Sequence, residues 1–124
     1  MAEINITITG RIPSKKNSRI TVRKTGRSFP SKAHEAWYKD ATVQLMKQRA
    51  PRKNLERVRV SIYIYFPDRR VADLTNKTES IMDLLVGYGV LKDDSWQVAR
   101  PLVLDGGYDK ENPRAEIIIT DLGE

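Results

Sequence analysis

Residues 56–67 read ERVRVSIYIYFP, and the alternation in this stretch decides how the rest of the chain is arranged. Val58, Val60, Ile62, Ile64 and Phe66 fall on one face of an extended strand, and Arg57, Arg59, Ser61, Tyr63 and Tyr65 on the other. β-Branched and aromatic residues at a period of two suit a pleated, half-buried surface. The apolar face of such a strand needs a covering layer, and the flanking sequence supplies two. On the N-terminal side, Trp37, Ala41 and Leu45 recur at helical spacing between Ser31, a suitable N-cap, and about Arg49, with Pro51 ending the helix. On the C-terminal side a second helix starts with Thr75 or Asn76 as cap. It turns Ile81, Leu84, Leu85 and Tyr88 inward and stops at Gly87 or Gly89.

Further out, INITIT alternates Ile4, Ile6 and Ile8 with polar residues and reads as a strand with one buried face. GRIPSKKNSRI, residues 10–20, has loop composition. Ile20 to Arg23 reads as a short strand turning at KTGR into Ser28 and Phe29. Val98–Leu104 and Ala115–Leu122 read as two more strands, and DGGYDKENP between them has the composition of a hairpin loop. The order strand, helix, strand, helix, strand, strand predicts an α+β fold: a small mixed β-sheet with two helices packed on one face. The length predicts a single domain, residues 1–124.

The chain has 22 Lys and Arg against 16 Asp and Glu, a net charge of +6, and no cysteine. Disulfides and thiolate metal sites are excluded, which fits a reducing compartment. The start, MAEINITITG, lacks the pattern of a signal peptide, and no apolar run approaches the roughly 20 residues that cross a bilayer. A soluble, cytoplasmic protein with no membrane partner is expected. Arg11, Lys15, Lys16, Arg19, Arg23, Lys24 and Arg27 fall in the first thirty residues, against Glu3 alone among the acids. Such clustering is the footprint of a phosphate-backbone binder, only slightly favoured on composition over a solvated basic face.

Against that basicity, VADLTNKTESIMDLLVGYGVLKDDSWQV, residues 71–98, gathers Asp73, Glu79, Asp83, Asp93 and Asp94. Asp73 lies just before the helix, where the dipole favours an anion. Glu79 and Asp83 share a helical face, and each taken singly is better read as a solvated residue opposite Ile81 and Leu84. Asp93 and Asp94 follow GYGVLK, whose six extended residues reach about 20 Å, enough to return along the helix. Carboxylates that converge repel unless a cation sits between them. Hard oxygen donors without Cys or a His pair suit Mg²⁺ or Mn²⁺, not zinc. The one histidine, His34, reads as an ordinary helix-surface residue.

RRVADLTNKTESIMDLLVGYGVLKDDSWQV, residues 69–98, resembles the signature of the RusA family of Holliday junction resolvases. That signature has arginines, an Asp-Leu-Asp-Asn segment, a downstream Lys, an Asp-x-Leu, and an Asp-Asp followed by Gln-Val; the match runs without gaps from Asp73 through Asp94. GRIPSKKNSRI is similar to the family's N-terminal loop, with Pro13 and Asn17 in matching places. The resemblance implies a bacterial or phage-encoded homodimer that cuts four-way DNA junctions in recombination and repair, using Mg²⁺ held by aspartates.

By position, Asp73 takes the first metal-binding aspartate and Asp94 the downstream catalytic one, with Asp93 beside it. Two positions depart: Thr75 stands where the family has its second Asp, and Glu79 where it has a catalytic Lys. The expectation is a compensated metal site of Asp73, Glu79 and Asp94, with Asp83 in an outer contact and Lys77 in the phosphate role. Arg11, Lys15, Lys16, Asn17, Arg69 and Arg70 are expected on DNA. The alternative is a catalytically inactive homologue that still binds junctions.

Overall fold

The computed structural model describes residues 3–13, 19–21, 28–30 and 32–123. In chain order these form β1 (Glu3–Thr9), β2 (Arg19–Thr21), β3 (Ser28–Pro30), α1 (Lys32–Lys47), β4 (Val58–Phe66), α2 (Leu74–Tyr88), β5 (Ala99–Tyr108) and β6 (Arg114–Asp121). Four strands make one sheet in the order β1-β6-β4-β5, while β2 and β3 pair separately, antiparallel. β6 runs antiparallel to both β1 and β4, whereas β5 is parallel to β4. Parallel neighbours need a long crossover, and α2 provides it. The fold is the α+β arrangement that the alternation in β4 predicts. Ser31, the expected cap of α1, lies outside the described residues.

Val58, Val60, Ile62 and Ile64 of β4 are buried with Ile6 and Ile8 of β1 and Ile117 and Ile119 of β6. Ala41 and Leu45 of α1 and Ile81, Leu84 and Leu85 of α2 close over that face. Burying each of the larger aliphatic chains contributes about 1.5–3 kcal/mol relative to exposure.

Three sequence expectations are corrected here. His34 is 6% exposed and meets Trp37 edge-on, ring centres 5.7 Å apart. It is the first member of the same stripe as Trp37, Ala41 and Leu45, one turn back, so helical geometry carries it inward. Second, β5 and β6 are not a hairpin, because β4 lies between them. Third, Asp105–Tyr108 belongs to β5 and not to a loop. The glycines there serve close packing: a Cβ at Gly107 would lie 2.7 Å from the Tyr63 hydroxyl, and one at Gly106 3.1 Å from the Phe66 ring.

The outer edge of β1 is closed by side chains. Gln48 accepts the Thr7 N–H at 2.8 Å and donates to the Thr7 carbonyl at 2.7 Å. One turn earlier, Gln44 accepts the Thr9 N–H at 2.8 Å and donates to its carbonyl at 3.3 Å. Two amides, Gln44 in α1 and Gln48 just past its end, thus imitate a neighbouring strand and satisfy groups that an edge otherwise leaves open.

Candidate active site at the start of α2

α2 opens one residue before Thr75 because Asp73 is its cap, in place of the expected Thr75 or Asn76. The Asp73 backbone is extended (φ −82°, ψ 106°), and Oδ1 accepts the N–H groups of Thr75 at 3.0 Å and Asn76 at 3.3 Å. The Thr75 hydroxyl adds a bond to Oδ1 at 2.7 Å, and Asn76 Nδ2 one to Oδ2 at 3.0 Å. Asp and Thr differ here in reach: a carboxylate just outside the helix meets the orphan N–H groups of the first turn, whose partial charge favours an anion.

From this cap the helical pitch sends side chains into two pockets. Asp73 and Lys77, one turn apart, face a pocket of about 280 Å³ that Arg11, Asp68 and Arg70 also line. Thr75 and Glu79, also one turn apart, face a pocket of about 220 Å³ shared with Asp94, Met82 and Leu102. The first turns of α2 are the ridge between them.

The first pocket is cationic. Arg70 bonds Asp68 at 2.9 Å, and Arg11 stands 3.9 Å from the same carboxylate. The Arg70 hydrogen bonds hold the Asp68 carboxyl below the usual carboxylate range. Burial, and then the nearby Arg11, push the Lys77 ammonium below the ordinary lysine value. An anion entering here would relieve that repulsion. Ser80, buried in the second turn of α2, donates to the Pro13 carbonyl at 2.6 Å and anchors the N-terminal loop beside this pocket.

The second pocket owes Asp94 to the connection after α2. Gly89 takes a left-handed conformation (φ 93°) and caps the helix, so Gly89 and not Gly87 ends it. Val90 and Leu91 are then buried, and the chain pairs with Leu55 through Leu55 N–H to the Val90 carbonyl (3.0 Å) and Lys92 N–H to the Leu55 carbonyl (3.0 Å). GYGVLK is thereby pinned, and Asp94 returns to the N-terminal half of α2.

Not every expected residue arrives. Asp93 is exposed and its carboxylate accepts the Asp94 N–H at 2.9 Å. Asp83 lines a different pocket, with His34, Glu35, Tyr38 and Lys39 on the α1 side, and adds to the burial that raises the Tyr38 hydroxyl pKa. Arg69 stacks over Tyr108 at 4.6 Å. Lys15, Lys16 and Asn17 lie outside the described residues. Asp68, which gathers Arg11 and Arg70, went unrecognised in the sequence; its signal is the DRR tripeptide, where an acid one residue before two arginines can turn back on the second.

Asp73, Thr75, Glu79 and Asp94 offer oxygen donors alone, the right kind for a hard divalent ion. Among the described residues, no three acidic or histidine side chains converge closely enough to hold a metal. Glu79 and Asp94 share a pocket, and Asp73 reaches its rim through the Thr75 hydroxyl. The expected three-carboxylate cluster is therefore not assembled in this structure.

No curated protein matches the chain. The family model described as endodeoxyribonuclease RusA matches residues 10–120 of the 124, from the loop before Pro13 to the penultimate residue of β6. With the helix-capping Asp73, the returning Asp94 and the basic approach all inside that span, the chain belongs to the RusA family of endodeoxyribonucleases.

Proposed function

We propose that this protein is a Mg²⁺-dependent endonuclease (Mn²⁺ being the substitute) that resolves four-way DNA junctions as a homodimer, each subunit hydrolysing one phosphodiester. The observation carrying this reading is the pair of pockets astride α2: Glu79 and Asp94 on one side, Arg11, Arg70 and Lys77 on the other. A nuclease needs both, a cationic seat for backbone phosphate and a pair of carboxylates beside it.

Arg11 and Lys77 bind a phosphate flanking the scissile bond, and Asp68 keeps Arg70 turned toward the same pocket. Arg69 and the basic loop bearing Lys15, Lys16 and Asn17 add backbone contacts that fix register without reading sequence. Glu79, Asp94 and Asp73 would hold the metal, with Glu79 compensating for the carboxylate absent at Thr75. A bound divalent ion would polarise the phosphodiester and lower the pKa of a water. Hydrogen bonds from Thr75 and Asn76 hold the Asp73 carboxylate in position. Paired, symmetric cuts are most simply made by two such sites related by a two-fold axis.

The failure of three carboxylates to converge favours one rival, a junction-binding protein without turnover. Synthetic four-way, flap and linear substrates titrated with divalent ion separate the two. Wild-type protein should cut the four-way substrate only with the ion present. Asp94→Asn should bind it normally and not cut, and Glu79→Gln should cut at least about a hundredfold more slowly. Binding without turnover in any divalent ion would establish the rival; normal Mg²⁺-dependent cutting by Glu79→Gln would remove Glu79 from the site.

A further inference from the structure

Trp96 stands two residues beyond Asp94 and is 65% exposed. Its backbone is well held. The Ser95 carbonyl accepts the N–H groups of Val98 (3.1 Å) and Ala99 (3.0 Å), and the Val98 carbonyl accepts the Val58 N–H at 2.8 Å. The indole therefore rides the tip of a turn fastened to the first residue of β4. The Arg100 guanidinium lies 5.5 Å from its ring centre. Leu102, itself 39% exposed, lines the pocket of Glu79 and Asp94. Trp37 offers the contrast: it is partly buried against the core, edge-on to His34 and Tyr38.

An indole held in water beside a cutting pocket is explained by what it meets there. The surroundings name the chemistry: a guanidinium at the ring and a net charge of +6. A π-face next to a cation suits a nucleobase whose phosphate the cation can reach. Linear duplex hides its base faces in the stack, whereas a branch point is where that stack can be opened to bare them.

We propose that Trp96 stacks on a base exposed at the branch point while Arg100 meets the neighbouring phosphate. This contact supplies the preference for branched over linear DNA, which phosphate contacts alone cannot supply. The inference rests on the junction reading above and deepens it by naming the residue that recognises the branch.

The test measures affinity for a four-way junction and a linear duplex of equal length, with Ca²⁺ replacing Mg²⁺ to hold cleavage off. Trp96→Ala should lose about tenfold on the junction and less than about twofold on the duplex, while Trp96→Phe keeps most of the preference. With wild-type protein, 2-aminopurine at the branch should change its emission on binding far more than 2-aminopurine in mid-arm, a readout independent of how any variant folds. Junction affinity unchanged in folded Trp96→Ala overturns the proposal, as do equal losses on both substrates, equal responses of the two probes, or a fall in sedimenting mass, which would make Trp96 a subunit contact. Wild-type protein that shows no preference for the junction removes the junction reading and this inference together. A preference that survives in Trp96→Ala removes the inference alone.

Discussion

Asp73 is both a helix cap and a candidate metal ligand, and conservative substitution can separate the two. Asparagine caps as well as aspartate, since its carbonyl oxygen can accept the same Thr75 and Asn76 N–H groups. Asp73→Asn should therefore change unfolding free energy by less than about 0.5 kcal/mol, while Asp73→Ala should cost about 1 kcal/mol. Both should abolish cleavage if the charge is used in chemistry. Urea unfolding beside a junction-cutting assay checks this; an Asp73→Asn protein that still cuts would leave Asp73 a structural residue only. The neighbouring acids show how far a motif can be read. Asp73 and Asp94 were singled out by resemblance to the RusA signature, and nothing local distinguishes Asp94, in the pocket, from Asp93, folded onto its own chain.

At the scale of elements, α2 illustrates what periodicity conveys and what it misses. The inward positions Ile81, Leu84 and Leu85 follow from the apolar spacing, and all three are buried. Gly87 and Gly89 look alike in sequence, yet only Gly89 has the positive φ of a helix end. Gly87 lies within the helix on its exposed surface, with the end of the half-buried Tyr38 side chain of α1 against it, so a Cβ there would displace the hydroxyl. Alanine there would gain about 1 kcal/mol of helix propensity, offset in part by moving Tyr38 aside. Gly87→Ala should raise the urea midpoint by less than that gain, and in a Tyr38→Phe background the same change should stabilise more. Additive effects in that double-mutant cycle would show that the two positions do not touch in solution.

For the molecule as a whole, legibility stops where neighbours in space are far apart in sequence. The class and the faces of the strands were readable because each is a local pattern. The insertion of β4 between β5 and β6 was not, since consecutive strands usually pair. Division of the site into two pockets depends on the crossover of α2 and on Leu55 pinning the Asp94 loop, both tertiary facts. Charge acts at this scale too. In the proposed dimer, two subunits of +6 should make junction affinity fall steeply with salt, each neutralised phosphate contributing a slope of about −0.9 in log K against log salt. Lys77→Met should flatten the slope by about one such contact; an unchanged slope would take Lys77 off the phosphate. Because burial and Arg11 lower the Lys77 pKa, its contribution should also fade earlier on the alkaline side than that of an ordinary lysine, and bound phosphate should restore the proton.

The glutamine pair along β1 has a wider bearing. With that margin already occupied by Gln44 and Gln48, a foreign strand seeking to lengthen the sheet is left with β5, the opposite border, which no described strand covers. Leu102 and Leu104 on β5 help wall the acidic pocket. Docking by strand addition would thus compete with nucleic acid for the same side of the protein, and a short extended peptide annealed there is a natural design for an inhibitor.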